Sequence, residues 1–452
     1  MPRRPEKTEI LLVFISILLS ALPFYASAQE LSYDRYAPMM REDPAGARRA
    51  APLRSSRAKN IATHFLVYPF EIIRWPIDKG LVLTEKYYLD KKVQWVYDTV
   101  EDQGIVPRGH IVRLGSLGGG ADVDFIRLIR QKENFPDATL RAWADWSKDT
   151  NFDFGSEMGL ERIANTNFHV SEMFRYQNLL EEHFYGIGPN TSAGDGTSYR
   201  REGTTLETKA GYRWSPTTGA DLNFAYRNIN ITNGEDGGRG IIDRIFPTGS
   251  IPGLDGDEIL SFGGEAVHDT RNLKASSTRG GRRRFGFSYH EGLYGSRARY
   301  FKYEAEANQY QSLGSPRRVL AFHFYGEHND EINNGTVPFH QMAKLGGFGA
   351  YPRMSHTLRG SDFNRFFDES AVLFNLEYRY TIWEYRDFKL DSVLFWDEGQ
   401  AFGEFSRFQL KDFRESYGLG FRVSAVDHVF FSIEIAHGDE GTRFYVKSST
   451  PF

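Results

Sequence analysis

Three charged positions near the end of the sequence are spaced so that they could meet. Arg359 lies in Thr357-Leu358-Arg359-Gly360-Ser361-Asp362-Phe363, a stretch of loop composition. Glu377 and Asp397 lie in two strand-like stretches that follow, residues 375–380 and 395–399. A guanidinium is a planar fork of donors and can hold carboxylates through paired bonds. The chemistry on offer is a structural grip, with an arginine loop folded inward onto two acids. Residues 374–379 alternate: Phe374, Leu376 and Tyr378 share one face, and Asn375, Glu377 and Arg379 share the other. If the apolar face meets lipid, Glu377 faces an interior, because a carboxylate on the lipid side is too costly. Asp397 follows the run 393–396, which is apolar on both parities and leaves its face open. Unbroken apolar residues there suggest that something packs against an inner wall. From spacing alone, Arg359 reads equally well as a solvated loop arginine.

The elements that must position these residues are strands. From Pro107 onward, short segments alternate apolar and polar residues and are separated by Gly, Asp, Asn, Ser and Pro. Residues 140–146, 222–227 and 320–324 show the pattern, and 429–435 repeats it with the apolar face on odd numbers. Period two sends one set of side chains to each side of a sheet. About 16 such segments fit, an even number suited to an all-β, antiparallel transmembrane β-barrel. A large sandwich or a propeller is the soluble alternative, and no blade-like repeat supports it. The low mean hydropathy, -0.49, suits a barrel, in which only every second strand residue faces lipid. The 36 Phe, 24 Tyr and 44 Gly supply girdles and turns.

The beginning of the sequence points to export. Arg3, Arg4 and Lys7 precede an apolar run at 10–22 and the small-residue site Ala26-Ser27-Ala28. This is the pattern of a signal peptide, residues 1–28. Residues 29–106 are expected to be a periplasmic tail rich in arginine, with one short helix near 77–100. Residues 107–452 form the barrel, which stops at the aromatic Phe452. With no cysteine there is no disulfide and no thiolate metal site. A net charge of -4 gives no pull toward nucleic acid.

No metal, cofactor or catalytic constellation emerges. HExxH, GxSxG and P-loop motifs are absent. Tyr289-His290-Glu291 is a weak candidate for a barrel lipase. Residues 189–201, 234–258 and 327–345 read as extracellular loops rich in Gly, Asn and Asp. Asp255, Asp257 and Glu258 could bind a divalent cation or stand in water as a solvated acidic loop.

Several landmarks together resemble the barrel of the BamA/TamA superfamily, the bacterial surface antigen domain. They are Gly346-Gly347, Leu358-Arg359-Gly360, Arg365-Phe366-Phe367-Asp368, Asn375-x-Glu377-Tyr378-Arg379, Trp396-Asp397-x-Gly399 and Tyr417-Gly418-x-Gly420-x-Arg422. Residues 184–189 and 268–271 look like landmarks of the same barrel. The resemblance implies 16 strands, and it makes the Leu358-Arg359-Gly360 loop the sixth extracellular loop, tucked into the lumen against Glu377 and Asp397. It implies that Phe444, Val446 and Phe452 belong to an assembly signal at the last strand. It also implies a Gram-negative outer-membrane protein that assists insertion or translocation of protein or lipid. The expected partners are outer-membrane lipids and lipopolysaccharide, a client outer-membrane or secreted protein, and the barrel assembly machinery during biogenesis. Ser361 stands where the family usually has an aromatic, and no POTRA repeat is evident between 29 and 104, as in the short members. A plugged or passive channel, or a surface antigen without a client, is the alternative.

Overall fold

The computed structural model describes residues 105–114, 116–125, 137–147, 151–234, 240–247, 249–274, 276–348, 357–385, 388–404, 408–409, 412–425, 428–447 and 450–452. Of the segments expected before the barrel, residues 1–104 lie outside the described residues, and 105–106, expected in the tail, belong to the first strand.

Among the described residues sixteen long strands follow one another. They are β1 Ile105–Leu114, β2 Ser116–Phe125, β3 Asp137–Ser147, β4 Phe152–Glu161, β5 Phe168–Phe184, β6 Thr197–Ser215, β7 Thr218–Asn233 and β8 Asp257–Asp269. The series continues with β9 Gly280–Leu293, β10 Arg299–Ser312, β11 Arg318–Glu331, β12 Ser370–Tyr385, β13 Phe388–Phe402, β14 Arg414–Ala425, β15 His428–Gly438 and β16 Gly441–Lys447. Each pairs antiparallel with the next, from β1 with β2 to β15 with β16. A two-residue piece, Gly240–Ile241, runs parallel to the start of β6 and brings the sheet to 17 members.

The two faces of the sheet are inverted relative to a protein that folds in water. Along β7, Leu222 and Phe224 are exposed while Asp221 and Ala225 are buried. Along β12, Leu376 and Tyr380 are exposed while Asn375, Glu377 and Arg379 are buried. Along β11, Leu320 and Phe322 point out, and Ala321, His323 and Tyr325 point in. Water would penalise such an exterior, whereas acyl chains solvate it. Among the described residues no helix is long and apolar enough to cross a membrane, so the crossing is made by strands.

The sheet is curled into a barrel. The connection between β11 and β12, residues 332–369, touches elements far apart in the pairing order. Arg365 donates to Thr191, between β5 and β6, and to Glu440, between β15 and β16. A flat sheet would hold those two connections ten strands apart. An even number of strands puts both ends of the series on one side, and the long connections 234–256 and 332–369 leave from the other. The longer set faces outside the cell in such barrels. On that side Phe184, Tyr199, Ile259, Tyr300, Phe339 and Phe367 form one buried apolar cluster, an extracellular cap.

Two expectations are corrected. The predicted loops 189–201, 234–258 and 327–345 begin or end in strand, since β6 starts at Thr197, β8 starts at Asp257 and β11 continues to Glu331. Ser198, Glu327 and Asn329 look like turn residues but are buried, because polar side chains belong on the lumenal face. In 429–435 the apolar residues do not all share one face. Ile435 is exposed and Val429 is buried, because a register shift between Val423 and Ser424 reverses the alternation there.

Candidate functional site

The long connection between β11 and β12 folds back on itself before it reaches the lumen. Ala343–Leu345 pairs with Phe366–Asp368, and Gly347 bridges Leu358. The turn requires glycine. Gly346 and Gly347 have φ of 132° and 67°, and a Cβ on Gly346 would lie 2.3 Å from the Asp362 carbonyl oxygen. The tip is then pressed on the wall, where a Cβ on Gly360 would come within 2.5 Å of Ser416 Cβ on β14.

Arg359 is 0% exposed, as are Glu377 and Asp397. Its Nε and Nη2 donate to the two oxygens of Asp397 at 2.7 and 2.6 Å. Nη1 donates to Glu377 Oε1 at 2.7 Å and to Glu434 Oε2 at 3.0 Å. The guanidinium carbon lies 3.5 Å from the centroid of the Phe395 ring, so the plane of the fork is stacked as well as bonded. The main chain is held too. Arg359 N–H donates to Asp397 Oδ2 at 3.1 Å, and the Tyr445 hydroxyl of β16 donates to the Arg359 carbonyl at 2.7 Å.

The acids are themselves shared. Glu377 accepts from Arg379 Nε at 2.9 Å and from Arg422 Nη1 and Nη2 at 2.9 and 2.7 Å. Glu434 accepts from Arg422 Nη2 at 2.6 Å. Asp397 accepts from Asn375 Nδ2 at 2.8 Å and from Ser416 Oγ at 3.3 Å. Three arginines and three carboxylates therefore balance in charge, and β12 to β16 each supply a member or a neighbour. Isolated charges at this depth would be very costly, and pairing with filled hydrogen bonds offsets that cost.

The structure brings Arg359, Gly360, Glu377 and Asp397 together. The open question over Asp397 is resolved by alternation around it: Leu394 and Trp396 are exposed, Val393 and Phe395 are buried, and Asp397 points in. What packs on that inner wall is the Arg359 guanidinium, with Phe348 in the cluster beside it. Glu434 was unassigned by sequence reading, although its polar parity in 429–435 was a signal. Arg422 and Arg379 carried no role either, and nothing local marks which acids they meet. Of the three residues expected at the last strand, Phe444 lies on β16 and is exposed, and Val446 also lies on β16. Phe452 lies beyond the strand, its ring inside the lumen against Tyr310 and His323.

Other candidates separate. His290 is buried, bonds to Ser288 Oγ at 2.8 Å and stacks on Tyr300. Glu291, on the opposite face, pairs with Tyr289 and Arg299. Alternation thus parts the histidine from the acid beside it. Glu258 accepts from the Tyr226 hydroxyl at 2.8 Å. Asp257 accepts from Ser296 Oγ at 2.5 Å and meets His340 Nε2 at 2.9 Å. Among the described residues no group of three His, Cys, Asp or Glu could hold a metal ion.

His340 lies in the extracellular connection, buried beside Asp257, and is expected to make the cap pH-dependent. Gln341 Nε2 donates to its Nδ1 at 3.2 Å, so the proton of the neutral ring sits on Nε2, toward Asp257. Burial holds its pKa below the ordinary 6.5; Asp257 opposes this in part, and Arg201 and Lys344 add to the lowering. The unfolded cap takes up a proton more readily than the folded one. The stability from this site is therefore full above the unfolded value of 6.5 and is lost as pH falls through the lower folded value. External protease should cut the cap faster at about pH 5.5 than at about pH 7.5, and His340→Gln should flatten that difference. Equal cutting at both pH values would remove His340 from the cap's energetics.

The model of the Omp85 superfamily domain matches residues 137–426. No curated protein matches the sequence. The fold is similar to that of BamA from Haemophilus ducreyi lacking POTRA domains 1-3, with 13% identity, a TM-score of 0.54, and coverage of 76% of this chain and 70% of that one. It is also similar to CdiB from Escherichia coli, with 10% identity, a TM-score of 0.50, and coverage of 75% of this chain and 61% of that one. At these identities the likeness is one of fold.

Proposed function

The chain belongs to the Omp85 superfamily, and from that premise we propose that this Gram-negative outer-membrane barrel assists the insertion or translocation of protein or lipid. The observation that carries the proposal is the pairing order. Strands β1 and β16 are the two ends of the pairing series, the edges a barrel must join, and no pairing between them is found among the described residues. An unpaired edge in lipid is unstable. A seam there opens at low cost and offers its edge to a client strand or thins the bilayer beside it.

The Arg359 cluster supports this reading as a clamp. It ties β12 to β16 into one stiff wall, so that opening is confined to the seam. The proposed partners are outer-membrane lipids and lipopolysaccharide, a client outer-membrane or secreted protein, and the assembly machinery that folds the barrel. Phe444 and Val446 are proposed to take part in recognition by that machinery. No catalytic step is assigned.

The test is a reversible disulfide between one cysteine in β1 and one in β16, formed in living cells. Locking should lower outer-membrane protein or alter lipid content, and reduction should restore it. Unchanged protein and lipid profiles in the locked strain would rule out a moving seam. The apolar cap favours a second reading, a plugged barrel without a client. Large steady currents in planar bilayers would exclude that plug.

A further inference from the structure

Phe452 follows strand β16, Gly441–Lys447, and its ring lies in the lumen rather than on the lipid face. The seat is specific. The ring lies flat against the His323 imidazole of β11, with centroids 5.0 Å apart and planes 9° apart. Tyr310 of β10 is 6.4 Å away, and the Arg379 guanidinium of β12 stands 5.4 Å from the Phe452 ring and 5.3 Å from that of Tyr310. Val319 and Ala321 complete the apolar floor.

Each wall of the seat is fixed from behind. Asn375 Nδ2 donates to the Thr357 carbonyl and to Asp397, so its Oδ1 is left to accept from His323 Nδ1 at 2.7 Å. The other imidazole nitrogen faces Glu306 Oε1 at 3.5 Å. Arg379 is held by Glu377, the carboxylate that also binds Arg359. Stacking on an imidazole and beside a guanidinium is favourable for a phenyl ring.

We propose that Phe452 is a lumenal latch: its ring, seated on His323 and Tyr310 beside Arg379, closes the lumen along β10 to β12 and keeps Arg379 on Glu377. The segment that follows the last strand thereby reaches the same carboxylate as the extracellular loop, from the opposite end of the barrel. The latch rests on these contacts alone and holds whether or not the barrel serves a client.

The sequence has no cysteine, so one introduced thiol is a unique reporter. Val319 is 4% exposed. It packs in one cluster with Tyr310, Ala321 and the Phe452 ring. The experiment measures the rate at which a maleimide labels Val319→Cys in the purified full chain, scoring only protein with folded gel mobility. The native tail is compared with Phe452→Ala, and with His323→Ala, which leaves the tail intact. Both substitutions should speed labelling by about tenfold. Equal rates in the native and Phe452→Ala backgrounds would overturn the latch. So would a rise in Phe452→Ala that His323→Ala does not reproduce, because the ring would then not be held by this seat. If Phe452→Ala fails to assemble, the His323→Ala comparison decides alone.

Discussion

Arg359→Ala should lower the temperature at which the folded barrel loses its fast mobility on semi-native gels by on the order of 10 °C. The reason lies in what the substitution leaves behind. Glu377 keeps Arg379 and Arg422, and Glu434 keeps Arg422. Asp397 keeps Asn375, Ser416 and the main-chain N–H of residue 359 as donors, but all three are neutral. A buried carboxylate whose cation has been removed costs about 3–5 kcal/mol. The contact with the Phe395 ring is lost as well. Arg359→Lys should recover only part of the loss, because an ammonium cannot hold Asp397 through two parallel bonds and reach Glu377 and Glu434 together. Adding Asp397→Asn to Arg359→Ala should recover some stability, since it removes the stranded charge. A gel transition unchanged in Arg359→Ala would show that the loop is not what holds this wall.

Glu377→Gln is nearly as severe, for the opposite reason. The carboxylate accepts from Arg359, Arg379 and Arg422 with both oxygens. Glutamine keeps the shape but offers only one oxygen, and its amide hydrogens face arginine donors. Three guanidiniums then share two carboxylates in a site without solvent. A loss of about 3 kcal/mol is expected, read as the shift of the same gel transition. The two positions act through one network, so the double variant should lose far less than the sum of the two single losses. Additivity within about 0.5 kcal/mol would mean that Arg359 and Glu377 stabilise the barrel independently.

Both substitutions bear on the seam as well. If the clamp confines opening to β1 and β16, loosening it lets the β12 to β16 wall breathe as a whole. Locking the seam by disulfide in Arg359→Ala should then restore stability more than it does in the native protein. No such difference would separate the clamp from the seam and leave the two as unrelated features.

Much of this was legible in the sequence because a membrane barrel writes its fold locally. Each strand alternates, and a charged residue on the lipid parity is too costly to keep, so Glu377 could be placed inward from its neighbours alone. Alternation gave the strand number, and the loop composition around Arg359 set it apart from the acids. Asp397 was ambiguous because its apolar neighbours occupy both parities, one set meeting lipid and the other meeting the loop.

What the tertiary structure decided is who meets whom. Parity says that Glu434, Arg422, Arg379 and His323 point inward, but it carries no information on stagger. The height of each side chain in the lumen depends on the register of every pair between it and its partner, and a register shift such as that between β14 and β15 changes the sum. The seat of Phe452 is further still from the reach of sequence, because its walls come from β10, β11 and β12 while the ring follows β16. Short-range alternation therefore settled the fold and the face of most residues. Closure of the long-range register settled the arginine–carboxylate network and the place of the ring.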